Sequence, residues 1–199
     1  MLADQIEYAR EEEVLRDGTF TGEAILDGDL AGLEFENVTF ERCRFAGCDF
    51  TGSRFYGVKF IGCDLSGCFF RSGFWQDCEI RDSRANGASF DESVFRRCVI
   101  AESTLPYANF PETVWENVTI SDTSLSHGAF RAAKFKRLTL KNTDLSGAEF
   151  YKASLKGIDL SECNIEGIVV SQSMMELRGA KINPGQAVDL MPLLGVELI

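Results

Sequence analysis

Seven cysteines and one histidine are the residues of this 199-residue chain best suited to metal binding or nucleophilic chemistry. The cysteines contain no CxxC pair, and the single His127 offers little for a cysteine–histidine metal site. Each cysteine lies two residues before a position whose number ends in 0 or 5: Cys43, Cys48, Cys63, Cys68, Cys78, Cys98 and Cys163. A shared phase is typical of side chains that pack inward, so we expect reduced structural thiols, no metal and no catalytic cysteine.

A second set of candidate residues is acidic and spaced at intervals of twenty. Asp82, Glu102 and Asp122 share this interval, and Glu162 continues it after Asn142. General acid–base catalysis needs two carboxyls in unlike environments, whereas the members of a regular row have similar ones. The chain is therefore not expected to be an enzyme or to need a cofactor. Two interpretations of the row remain open: a solvated face, or a line of negative charge that attracts a basic partner.

A repeat that runs from Phe20 to Met175 positions these residues. Every fifth residue in this range is apolar, and of the 32 positions only Ala85 is small. The residue two places earlier is always uncharged from Leu33 to Ser173. A period of five fits neither an α-helix, at 3.6 residues, nor a strand, at 2. It predicts a solenoid in which two positions of each five face inward and three face outward.

Stretches such as TDLSGAEFYKASLKGIDLSECNI resemble the pentapeptide repeat family, whose motif is Ala/Cys/Ser, Asp/Asn, Leu/Phe, any residue, Gly. The resemblance implies an all-β solenoid, a right-handed quadrilateral β-helix in which four pentapeptides form one coil and residues twenty apart stack. One inward ladder would then contain Phe50, Phe70, Phe90, Phe110, Phe130 and Phe150. Another would contain Phe35, Phe55, Trp75, Phe95, Trp115, Phe135, Leu155 and Met175.

The repeat divides the chain into an N-terminal capping segment (1–19), the β-helix (20–175) and a C-terminal capping and dimerisation segment (176–199). Residues 3–16 are expected to form a helix that covers the first coil, with Val14 and Leu15 among its apolar contacts. In the last segment, Asn183 as N-cap and Pro184 at the first helical position predict a second helix.

The C-terminal tail is too apolar to lie free in water, so it must cover the last coil, a partner or both. Its apolar residues include Val188, Leu190, Leu193 and Leu194. The stretch INPGQAVDLMPLLGVEL resembles the C-terminal segment of Qnr- and MfpA-type pentapeptide proteins, which implies that these residues form a homodimer interface. Pro192 departs from that pattern and is expected to kink the helix or end it early.

The formal net charge of −11 restricts the choice of partner. It disfavours direct binding to nucleic acid and to anionic membranes, because both need basic patches. The start of the chain is polar and no apolar run approaches 18 residues, so we expect a cytoplasmic protein with no membrane segment. Phe74, Val94 and Val114 share an outward position at intervals of twenty. This apolar strip is either a contact surface or an exposed strand face that suits such residues.

Two binding functions remain after enzymes are set aside. The Qnr-like resemblance implies an acidic dimer that mimics B-form DNA and occupies the DNA-binding saddle of a type II topoisomerase, DNA gyrase or topoisomerase IV. Such a protein inhibits the enzyme, protects it from quinolones, or does both. The alternative is a pentapeptide repeat scaffold that binds a different protein. The unbroken phase also predicts no inserted loops of the kind that several Qnr proteins use against gyrase.

Overall fold

Residues twenty apart in the sequence lie side by side in the computed structural model, which describes residues 1–196. All strand pairs are parallel with this offset, as in Phe35 with Phe55 and Phe55 with Trp75. The isolated bridges keep the same offset, for example Asp144 with Asn164, except for Asp159 with Lys181, which has an offset of 22. The chain therefore winds as a right-handed quadrilateral β-helix with one pentapeptide on each face of a coil, which confirms the predicted fold.

Within residues 1–196 the chain begins with helix α1 (Leu2–Glu12). The strands are β1 (Val14–Thr21), β2 (Glu34–Glu41), β3 (Arg54–Tyr56), β4 (Lys59–Ile61), β5 (Phe74–Gln76), β6 (Glu79–Arg81), β7 (Val94–Arg96), β8 (Val99–Ala101), β9 (Val114–Ser121) and β10 (Lys134–Lys141). A 3-10 helix (Met175–Leu177), helix α2 (Gln186–Leu190) and a second 3-10 helix (Met191–Leu194) follow. None of these helices has the length and apolar content that crossing a bilayer requires.

The aromatic ladder at the centre of the rod stacks as the repeat predicts. Neighbouring rings from Phe50 to Phe150 have centroids 4.9–5.1 Å apart and planes within 8–13° of parallel. All six phenylalanines are at most 3% exposed. Each ring buries about 150 Å² or more, which corresponds to about 4 kcal/mol of gross hydrophobic stabilisation.

All seven cysteines are buried, as predicted from their phase, and none forms a disulfide within residues 1–196. Six of the thiols, all but that of Cys163, point at main-chain carbonyls of the preceding coil, as in Cys68, whose Sγ–H donates to the Phe45 oxygen at 2.6 Å. Burial raises the pKa of Cys68 to about 12. This thiol is therefore protonated at neutral pH and serves in packing.

The corners of each coil use a left-handed backbone two residues after a ladder position. Asp82, Glu102 and Asp122 have φ values of 49°, 51° and 50°. Asp and Asn tolerate this conformation better than most residues with a Cβ. Corner side chains lean over the corner of the following coil: a Cβ added to Gly147, for example, would clash with the ring of His127.

The N-terminal helix is shorter than predicted. It ends at Glu12, Glu13 is left-handed with φ 59°, and strand β1 begins at Val14. The prediction of helix to residue 16 is wrong because Val14 and Leu15 belong to the solenoid, where Leu15 pairs with Phe35 in the parallel register. Pairing of seven residues with β2 outweighs one more turn of an isolated helix.

Met175 does not continue the second ladder as predicted, since it is 50% exposed. The amide of Leu155 donates to the Glu176 carbonyl at 2.8 Å, a separation of 21 residues, whereas Ile25 donates to Arg44 across the usual 19. Two extra residues in this corner therefore place Leu177 over Leu155, and Leu177 packs against the core. The coil path thus continues beyond the point at which the five-residue phase is lost.

Buried Glu176 holds this enlarged corner together. Its carboxylate accepts hydrogen bonds from the amide of Lys152 at 2.9 Å and from the amide and hydroxyl of Ser171 at 3.2 and 2.7 Å. Burial raises its pKa, but these hydrogen bonds outweigh burial and leave the pKa below that of an ordinary glutamate.

The second helix begins with a reciprocal cap whose two side chains also attach it to the last coil. Asn183 Nδ2 donates to the Ser161 carbonyl at 2.7 Å, and Gln186 Nε2 donates to the carbonyls of Leu160 and Cys163 at 2.7 and 2.6 Å. Asn183 Oδ1 accepts from the amide of Gln186 at 3.0 Å, and Gln186 Oε1 accepts from the amide of Asn183 at 2.9 Å. The regular helix begins at Gln186, two residues later than predicted, and ends at Leu190. A 3-10 turn containing Pro192 follows, so the predicted early end is confirmed. The last three residues of the predicted C-terminal segment, 197–199, lie outside the described residues.

Candidate protein-binding groove

The acidic row lies on a single corner of the rod. Asp82, Glu102 and Asp122 are exposed and occupy this corner in consecutive coils, and Asn142 donates its Nδ2–H to Asp122 Oδ1 at 2.8 Å. Glu162 is exposed in the next coil without the left-handed backbone of the others. The structure therefore brings the four predicted carboxylates into one line, with Asn142 between the third and the fourth.

A shallow groove runs beside this row, in two adjoining parts of about 460 and 450 Å³ that share Glu102 and Thr104. The row forms one wall. The other wall is formed by the residue two places after each position of this corner and includes Arg44, Asp64, Arg84, Thr104, Ser124, Asp144 and Asn164. The groove is open along its length, which suits an elongated partner surface better than a small enclosed ligand.

A ladder of hydroxyls forms the groove floor. Ser83 Oγ accepts from the amide of Cys63 at 2.9 Å, and Ser103 Oγ accepts from the amide of Ser83 at 3.1 Å. Thr123 Oγ1 continues the pattern with the amide of Ser103 at 3.4 Å. These bonds link each coil to the next directly beneath the row, so the carboxylates stand on a rigid support.

The two parts of the groove differ in charge. In the N-terminal part, Asp64 is neutralised by Arg84 at 3.0 Å and Arg44 at 3.5 Å. The hydrogen bond from Arg84 is the largest influence that lowers the pKa of Asp64, to about 2.

In the C-terminal part, Asp144 accepts from neutral donors instead: Ser124 at 3.2 Å and Asn164 at 3.0 Å. Burial raises its pKa, but bonds from Ser146, Ser124 and Asn164 outweigh burial and lower it. Four carboxylates and no lysine or arginine line this part: Glu102, Asp122, Asp144 and Glu162. Among residues 1–196, Arg81 forms an ion pair with Glu102 at 3.6 Å, and the other three form none. Their charge is therefore available to a partner. Sequence reasoning missed Asp144, which lies two residues after the outward row and shows only in the groove geometry.

The apolar strip lies on a different face. Phe74, Val94 and Val114 are neighbours in the parallel register, as predicted, and are half-buried. The guanidinium of Arg96 lies over the Phe74 ring, 5.3 Å from its centroid, a distance suited to cation–π attraction. The strip is thus partly covered within the chain and does not form one surface with the acidic row.

The predicted dimerisation residues divide into two groups. Leu190 and Leu193 pack against the core of the last coil, whereas Val188 and Leu194 are 54% and 55% exposed. An open apolar groove of about 340 Å³ lies at this end and is lined by Met174, Leu177, Arg178, Ile182, Ala187, Leu190, Met191 and Leu194. The tail therefore covers the last coil and still presents an apolar surface.

His127 lies at an outward corner, as predicted, and its ring stacks on Tyr107. Within the described part of the chain, no group of three or more histidine, cysteine and acidic side chains has the arrangement of a metal site. The chemistry that the groove offers is a fixed, linear array of negative charge.

The combination of a four-sided solenoid and a five-residue period defines the class of protein. A model of the pentapeptide repeat region matches residues 33–110, and a model of eight pentapeptide repeat copies matches residues 130–167. Together these ranges cover more than half of the chain. The chain belongs to the pentapeptide repeat family.

Among solved structures, the chain is similar to a trypsin-treated variant of QnrB1, a plasmid-mediated fluoroquinolone resistance protein. Identity is 24%, the TM-score is 0.52, and the match covers 94% of this chain and 98% of that one. Full-length QnrB1 matches with 20% identity and a TM-score of 0.40, covering 90% and 100% of the two chains. HetL from Nostoc sp. strain PCC 7120 matches with 14% identity and a TM-score of 0.32, covering 84% and 86%. No curated protein sequence matches the chain.

Proposed function

We propose that this protein is a DNA mimic that binds a type II topoisomerase, DNA gyrase or topoisomerase IV, and inhibits it, protects it from quinolones, or does both. It acts without catalysis and as a homodimer in the cytoplasm. The observation that carries the proposal is the rigid row of carboxylates beside the groove, in which Asp122, Asp144 and Glu162 form no ion pair within residues 1–196.

The physical basis is the similarity between this row and a nucleic-acid edge. Duplex DNA presents one charge about every 3.4 Å along each strand. Coils at the strand spacing place Glu102 and Asp122 about 4.8 Å apart along the rod. A protein groove that binds phosphates would be attracted by such a row, and the net charge of −11 adds long-range steering.

The homodimer accounts for the apolar end of the rod. Val188 and Leu194 are exposed beside an apolar groove, and a second copy would bury them at an isologous contact. Because this end lies past the last coil, the pair would place two acidic grooves on one longer particle. The similarity to QnrB1, described as a fluoroquinolone resistance protein, supports the part of the proposal that concerns quinolones.

A scaffold function with a different protein partner is the second candidate. The strip of Phe74, Val94 and Val114 favours it, because these apolar side chains stay half-exposed on a face away from the acidic groove. A partner that covered this face would not need to bind DNA.

Binding competition separates the two candidates. The protein is immobilised, and purified DNA gyrase and topoisomerase IV are passed over it with rising concentrations of linear duplex DNA. The DNA-mimic proposal predicts binding of at least one enzyme and its displacement by duplex. Absence of binding to both enzymes, or binding that duplex does not displace, would favour the scaffold function.

A further inference from the structure

One corner of the rod carries Asp27 in the first coil and then glycines, except for two stacked aromatic side chains. After Asp27 the corner consists of Gly47, Gly67, Gly87, Tyr107, His127, Gly147 and Gly167, all with a left-handed backbone. Glycine adopts this conformation freely, whereas a ring-bearing residue rarely does. Tyr107 is 62% exposed, so burial does not offset the cost. Among the left-handed residues in 1–196, only Tyr107 and His127 carry a ring.

The two rings form a stack that is open at one end. Their centroids are 4.9 Å apart and their planes are within 6° of parallel. The His127 ring leans over Gly147, which closes the stack on that side. On the other side of Tyr107 lies Gly87, where an added Cβ would meet nothing within 4 Å. No side chain at position 87 covers the outer face of the Tyr107 ring, and we call this open space the slot above Gly87.

The slot and the acidic row border the same face of the rod. Glu102 lies at one edge of this face and Tyr107 at the other, five residues along the same coil. The cation nearest in sequence, Arg84, donates to Asp64 Oδ2 at 3.0 Å and is thereby held toward the preceding coil. The slot thus combines a flat aromatic wall with neighbouring negative charge.

This combination fits a guanidinium group. Arginine is planar, stacks on aromatic rings and is weakly hydrated, whereas the lysine ammonium is compact and strongly hydrated. We propose that the slot above Gly87 binds an arginine side chain of the protein partner, which stacks on Tyr107 while the acidic row attracts the surrounding cations. This proposal depends on the proposed function for one point, which is that the partner protein is basic.

The test compares hexaarginine and hexalysine peptides at low ionic strength by calorimetric titration. The native protein should bind hexaarginine more tightly. Tyr107→Gly should weaken hexaarginine binding about three- to fivefold and leave hexalysine binding within about twofold. The variant should fold, because glycine is the usual residue of this corner. Gly167→Asn is the matched control, since it changes the same corner three coils from Tyr107 and should bind both peptides as the native protein does.

A second variant guards against indirect effects of removing the ring. Gly87→Asn retains Tyr107 and fills the slot, and it should cause the same selective loss of hexaarginine binding. Equal weakening of both peptides by Tyr107→Gly, or no weakening by either variant, would overturn the proposal. Arginine selectivity without any binding of gyrase or topoisomerase IV would support the arginine site and contradict the proposed topoisomerase function. Topoisomerase binding without arginine selectivity would support the topoisomerase function and contradict the arginine site.

Discussion

Trp115 donates its indole N–H to the hydroxyl of Thr113 at 2.8 Å in the centre of the rod. Trp75 occupies the same ladder two coils earlier and is equally buried, but its indole nitrogen has no partner within the described residues. The residue that corresponds to Thr113 is Gly73, which supplies no acceptor. Two tryptophans with the same packing therefore differ by one buried hydrogen bond.

This pair predicts unequal effects of one substitution. Trp115→Phe should destabilise the protein by about 1 kcal/mol more than Trp75→Phe, because only the first removes a hydrogen bond and the second removes an unsatisfied buried donor. Denaturant unfolding of both variants measures the difference. Equal losses, or a larger loss for Trp75→Phe, would mean that Trp75 finds an acceptor that the structure does not show.

Glu176 predicts acid sensitivity of the C-terminal corner. Its pKa is lowered in the folded state, so its contribution is complete above its unfolded pKa, about 4.3, and is lost as pH falls through the folded pKa. Glu176→Gln should reduce the free energy of unfolding by about 1–2 kcal/mol at pH 7, and the difference from the native protein should shrink below about pH 4. Glu162→Gln, an exposed neighbour, is the control. A difference that does not change with pH would contradict the role of the carboxylate charge.

Two leucines of the C-terminal tail should have different roles, Leu194 in dimerisation and Leu190 in the stability of each protomer. Leu194→Ser changes an exposed side chain and should yield a monomer by light scattering, with a melting temperature close to that of a native sample diluted below its dimerisation constant. Leu190→Ser removes core packing and should destabilise each protomer by about 2 kcal/mol or more. An unchanged dimer in the Leu194 variant would place the interface elsewhere on the rod.

The fold was predictable because the five-residue period records inward packing directly. Phe90 and Phe110 are buried in the ladder where their phase places them. The displacement of Met175 was not predictable in this way. A two-residue insertion shifts the phase without changing the hydrophobic character, and only the pairings of the last coil show it, as in the hydrogen bond from Leu155 to Glu176 and the bridge between Asp159 and Lys181.

The candidate site was only partly accessible from the sequence. The interval of twenty aligned Asp82, Glu102 and Asp122 correctly, since a solenoid converts a sequence interval into a stack. The interval does not indicate the direction in which each corner side chain points. The stacking of His127 on Tyr107 depends on how each corner side chain leans over the next coil, and this becomes visible only with coordinates.

Binding of the acidic row to gyrase is tested by supercoiling assays with two variants that remove equal charge from different corners of the rod. Glu102→Gln with Asp122→Asn alters the acidic row, whereas Glu92→Gln with Glu112→Gln alters the diagonally opposite corner, where both residues are exposed and left-handed. The first variant should lose inhibition about tenfold at low salt, and the second should stay within about twofold of the native protein. Both dimers should remain intact, and added salt should reduce the difference. Equal inhibition by the two variants at every salt concentration would show that the row is only a solvated face.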